Sequence, residues 1–164
     1  MKRLILAFAA AALPFAASAS PQLATDWGVK ASGLYQETVG LIEAVDTAGE
    51  TTIPADYETE IARFADAASR LGSWVDTNHG PSDLGCIFRG MAQEGEVQLD
   101  ALYEARSPRQ TRESLIRLAT MFSDAEVIAV AAVHSSGHDV PASPASVVAS
   151  CPVSGAAAHA ALAD

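Results

Sequence analysis

Cysteine is close to absent from this chain: Cys86 and Cys151 are the only two in 164 residues. There is no Cys-x-x-Cys-His, which excludes covalent c-type haem attachment. Glu-x-x-His is missing too, and that disfavours a di-iron carboxylate bundle. No His-Glu-x-x-His, Gly-x-Ser-x-Gly or phosphate loop occurs. Bases are also scarce, 10 against 20 acids, for a net charge of −10. An acidic balance of this kind argues against nucleic acid and against anionic membrane surfaces as partners. Strand-forming runs are few, while alanine and other helix formers are plentiful, so the composition points to an all-α class.

The one long apolar run lies at the start. Lys2 and Arg3 precede an apolar core from Leu4 to Ala17, and Ala17-Ser18-Ala19 supplies the small residues of a cleavage site. Residues 1–19 therefore read as a secretory signal peptide, and the expected address is periplasmic or secreted in a bacterium. The run is short for a membrane span and contains Pro14. No cysteine stands at the cleavage point, so a lipoprotein signal is not expected, and no membrane span is expected after cleavage. Cleavage removes two of the 10 bases and no acid, which takes the net charge from −10 to −12.

The remainder of the chain is long enough for one domain with a real core. Four amphipathic helices are expected. The first spans about Pro21 to Ala48, with Leu23, Trp27, Leu34, Leu41 and Val45 as its apolar stripe and Gly49 as its stop. The second spans Pro54 to about Asp76, with Tyr57, Ile61, Phe64, Ala68, Leu71 and Val75 on one face. The third spans Ser82 to Ala105, with Leu84, Phe88, Met91, Leu99 and Leu102 at three- and four-residue steps. Ser107-Pro108-Arg109-Gln110 opens the fourth as a capping box, and its apolar face comprises Leu115, Leu118, Ala119, Phe122, Ala129, Val130 and Val133. Gly137 is its expected C-cap glycine. Short connections between such helices give an antiparallel up-down-up-down four-helix bundle over residues 20–137. Residues 138–164 form a Pro- and Ala-rich tail.

Cys86 falls on the back of the third helix with Gly90 and Val97. A Cys86–Cys151 disulfide is expected to strap the tail across that back, Gly90 allowing close approach of the tail backbone. Two free thiols or a bridge between chains are the alternatives.

In the bundle topology the first and fourth helices are antiparallel neighbours, which sets Lys30 level with Glu126 and predicts a partly buried ion pair between them. The same topology gathers His79, His134 and His138 with Asp139 at one end, a set suited to zinc or copper; exposed loop histidines are the simpler reading. Met91, Met121 and His134 are possible ligands of a non-covalent haem, with the methionines more simply core filler. Ser135, Ser136, His138 and Asp139 include the residue types of a hydrolase triad, but sequence neighbours rarely reach triad geometry. Arg106, Arg109, Arg112 and Arg117 cluster at the other end and suit either an anionic partner or pairing with Glu104 and Glu113. No resident cofactor is expected. The function that fits is an exported, non-enzymatic bundle that binds an unknown protein or small-molecule partner, with a zinc or copper protein as the alternative. The oligomeric state is not legible in the sequence.

Overall fold

The computed structural model describes residues 19–78 and 80–135. Among them the chain forms four helices and no strand: α1 (Ala19–Ala48), α2 (Ala55–Thr77), α3 (Ser82–Glu104) and α4 (Pro108–Ser135). Gly137 and the tail lie outside the described residues, as does the proposed leader apart from Ala19, where α1 begins.

Local chemistry explains the boundaries. Gly49 adopts φ +66 and its N–H reaches the Val45 carbonyl at 3.0 Å, a left-handed stop that glycine takes without strain. Pro54, expected as the first residue of α2, is its N-cap, and Pro81 rather than Ser82 caps α3. Each keeps extended backbone angles while its carbonyl accepts a helical N–H, from Glu58 at 3.1 Å and from Leu84 at 3.0 Å. At α4 the capping box forms with a shift. Ser107 Oγ accepts the Gln110 N–H at 3.3 Å, while the Gln110 side chain reaches past the cap to the Arg106 N–H at 2.9 Å. Ser107→Ala is expected to cost about 1 kcal/mol, read as a lower urea midpoint at unchanged slope.

The helices pack in a ring. α1 lies alongside α2 and α4, α3 lies alongside α2 and α4, and the diagonal pairs meet through core side chains, their backbones staying apart. Side-chain contacts fix the directions. Asp46, near the end of α1, accepts a bond from Arg112 in the first turns of α4 at 2.7 Å, and Gly28 lies against Ala129. Trp27 donates to the Phe64 carbonyl at 3.1 Å, and Thr38 meets Tyr57 at 2.6 Å, so α1 and α2 run oppositely. Asp76 pairs with Arg89, and Gly95 contacts both Ala65 and Met121, which orders α2, α3 and α4 in the same alternating sense.

The core is built around one aromatic from each helix. Trp27 stacks on Phe64 with ring centres 4.7 Å apart, Phe88 meets Trp27 edge-on at 5.2 Å, and Phe122 meets Phe64 edge-on at 5.0 Å. The full apolar face expected of α2, from Tyr57 to Val75, is buried.

Packing is closer at two of the four seams, α1–α4 and α2–α3. Small residues allow this. Gly28 faces Ala129 with no room between, flanked by buried Ala24, Ala31, Ala125 and Ala132. Gly72 lies against the Gly85 carbonyl, and Gly95 against Ala65.

A polar chain crosses the α1–α2 seam. Buried Thr38 donates its hydroxyl to the Leu34 carbonyl at 2.6 Å, so the Tyr57 hydroxyl is the donor toward Thr38. Burial pushes the Tyr57 hydroxyl well above the ordinary tyrosine value of 10.0, and the Glu37 carboxylate adds to that push. An unfolded tyrosine ionises near pH 10 and the buried one does not. The stability it contributes is therefore complete below that pH and is lost as pH rises above it. Tyr57→Phe is expected to flatten the alkaline loss of stability, measured as urea midpoints at neutral and strongly alkaline pH.

Candidate functional site

Lys30 and Glu126 do not pair with each other. The register expected for α1 and α4 holds, as Gly28–Ala129 and Asp46–Arg112 show, but the two side chains leave opposite flanks of that pair. Lys30 lies one residue short of buried Ala31 and turns toward α2, where it pairs with Glu60, half-exposed. Glu126 lies one residue past buried Ala125 and is exposed on the outer side of α4. The Lys30 ammonium is the chief cause of a Glu60 carboxyl held below its ordinary range, and Arg63 at 2.6 Å from it adds to the effect. Such surface pairs contribute little to stability.

Of the histidines expected to converge, His79 and His138 lie outside the described residues. His134 occupies the last turn of α4, exposed, with Nδ1 2.9 Å from the Val130 carbonyl. Among the described residues no group of three or more His, Cys, Asp or Glu is gathered in a way that could hold a metal ion. Met121 is buried in the core and Met91 packs on its edge, as gap-filling residues do.

Cys86 sits part-buried on α3, its sulfur 3.6 Å from Arg89 Nη2. Gly90 and Val97 are exposed, and among the described residues nothing lies within 4 Å of where a Gly90 Cβ would stand. Cys151 lies outside the described residues, and so does any bond it makes.

The four clustered arginines are each engaged. Arg109 pairs with Glu113 at 2.8 Å, Arg112 with Asp46 at 2.7 Å and Arg117 with Glu94 at 3.6 Å. Arg106 donates to the Tyr103 and Ala105 carbonyls at 3.1 and 3.2 Å, covering the C-terminal end of α3. The Glu113 pairing is the expected one; the Asp46 and Glu94 partners come from tertiary neighbours.

The feature that sequence reading passed over is a groove along the outer side of the α1–α4 seam, about 650 Å³ in volume. Thr25, Val29, Ser32 and Gln36 form its α1 wall, and Glu126 and Val130 stand on its α4 wall. Gly28 and Gly33 lower the α1 side. Val130, expected on the apolar core face of α4, is 56 % exposed because it lies a full 100° beyond Ala129. Val29 at 70 % and Val127 at 71 % are exposed on the same two helices, as are Val39 and Ile116. A smaller groove of about 420 Å³ between α3 and α4 is polar, bordered by Gln98, Ser114 and Arg117. Among the described residues no helix is long and apolar enough to cross a membrane.

Comparison with known proteins adds no family: no family model, curated protein or solved structure gives a significant match to the chain.

Proposed function

We propose that this chain is an exported helical-bundle protein that acts by binding a partner rather than by turnover, and that the α1–α4 groove is its binding surface. The observation that carries the reading is the concentration of exposed apolar side chains on α1 and α4 beside that groove. Apolar side chains grouped on one face mark interaction sites more often than scattered ones do. A photo-crosslinking residue at position 29 or 130 tests it in cells expressing the full chain. A discrete adduct from these positions, and none from position 97 on α3, is the expected result. No adduct from either groove position, or equal adducts from all three, overturns the reading.

The strap belongs to the same proposal. A Cys86–Cys151 bridge would contribute roughly 4 kcal/mol in the chain-entropy model, and peptide mapping without reduction finds or refutes the linked pair. The alternative function, zinc or copper binding through His79, His134 and His138, draws on one feature of His134. Donation from Nδ1 to Val130 O fixes the tautomer whose ring lone pair is on Nε2, the atom a metal takes. A stoichiometric ion on untagged protein, lost on His134→Ala with His138→Ala, would establish it.

A further inference from the structure

We infer that the outer α1–α4 face is a self-association surface whose occupant is a second copy of this chain. The inference rests on the binding reading of the groove and names its partner.

Both helices carry a second stripe in addition to the one that faces the core. On α1, Thr25, Val29, Ser32, Gln36 and Val39 recur at alternating steps of four and three. On α4, Ile116, Ser123 and Val130 recur at steps of seven. This is the spacing at which helices pack against further helices. The side chains are small, apolar or uncharged.

Charge selects the occupant. The chain carries 20 acids against 10 bases, so two copies repel across most of their surfaces. The groove is the exception. Among the described residues that line it, Glu126 is the one carboxylate, and no lysine or arginine is present. Contact there brings together one carboxylate from each copy.

The register makes the face self-complementary. Gly28 against Ala129 and Asp46 against Arg112 set Val29 level with Val127 and Val130, and Val39 level with Ile116. A two-fold axis parallel to the helices lays Val29 of one copy on the Val127–Val130 pair of the other, Val39 on Ile116, and the serines of the two stripes between them. The stripes at 25–39 and 116–130 run roughly 22 Å and cover on the order of 450 Å², and the full helices of 30 and 28 residues extend that face to roughly 45 Å by about 20 Å, on the order of 900 Å². A standard interface buries about 800 Å² per partner.

Sedimentation velocity of the full mature chain across the micromolar range tests this. The expected species has twice the mass of one chain. Val29→Glu with Val130→Glu is expected to raise the dimer dissociation constant by at least ~100-fold with helical circular dichroism unchanged, while Val97→Glu on α3 leaves the dimer intact. A single-chain mass throughout the series overturns the inference, and so does a dimer that survives the double substitution. Should that variant lose its helical signal, Val127→Lys decides by the same two criteria. A chain that is monomeric when complete but dimeric once the residues after Ser135 are removed would assign the face to its own tail, and that also overturns the inference. The crosslinking experiment separates the two failures. A groove adduct whose mass is not twice the chain refutes self-association and leaves the binding reading standing; no groove adduct refutes both.

Discussion

Phe64→Ala lowers the unfolding free energy by about 3–5 kcal/mol, among the largest losses expected from a single truncation in this core. Phe64 is 1 % exposed and is one of the two inner rings of the aromatic layer, stacked on Trp27 and met edge-on by Phe122. Truncation removes its buried area and two ring contacts, each of which is worth about 0.5–1.5 kcal/mol beyond burial. It also leaves a hole bordered by four helices that cannot all collapse into it. Domains of this size are stable by about 5–15 kcal/mol, so the variant gives up roughly a fifth of the total or more. For a domain of roughly 115 residues the melting temperature falls by about 12–20 °C. Thermal unfolding by circular dichroism checks this against Val97→Ala, an exposed site where the change should stay within about 0.5 kcal/mol. A Phe64→Ala chain melting within a few degrees of the parent would mean that the aromatic layer is not the centre of the core.

Gly28→Ala runs against helix propensity, and its sign is the informative part. In an exposed helix interior this substitution stabilises by about 0.5–1 kcal/mol. That is the expectation at Gly40, where a Cβ meets nothing within 4 Å. At Gly28 the new Cβ would stand 2.6 Å from the Ala129 Cβ, closer than real Cβ atoms approach. Neither atom belongs to a side chain that can swing aside, so α1 and α4 must part. Overpacking of this kind costs about 1–3 kcal/mol, which outweighs the propensity gain. Gly28→Ala is therefore expected to destabilise by about 1–2 kcal/mol, while Gly40→Ala stabilises. Adding Ala129→Gly to Gly28→Ala restores the space and should recover most of the loss in a double-mutant cycle. Urea midpoints of the four chains read all of it.

The periodicity of α2 marks Tyr57, Ile61, Phe64, Ala68, Leu71 and Val75, all of them buried, but not Ala65 and Gly72, small residues beside the stripe that are buried as well. The Ser107–Gln110 cap was legible because its bonds join residues within four of one another. The level of Lys30 with Glu126 also came from topology. Their directions did not. Which flank a residue leaves depends on where the stripe is centred, and on α1 the centre is set by Ala31 and Thr38, a small and a polar residue that hydropathy undervalues. Thr111 is buried for the same reason as Thr38, its hydroxyl bonding the carbonyl four residues back, at Ser107. Hydropathy does not mark the groove, because Val130 falls in the periodic pattern of the α4 core face. A valine one residue beyond Ala129 reads as core until the partner helix is known to be close enough to exclude it.

The tight seam between α1 and α4 joins the first and last helices of the bundle, so contacts such as Gly28–Ala129 span about a hundred residues of chain. The other close seam, α2–α3, joins consecutive helices across a turn. One is made by a local hairpin; the other waits for a long loop to close. The ring is therefore expected to form its α2–α3 seam first and to close the α1–α4 seam last. A chain rearranged to begin at α2 and to run α2–α3–α4–α1 converts that closure into a short-range event. It keeps every contact of the native ring and should fold faster at little change in stability.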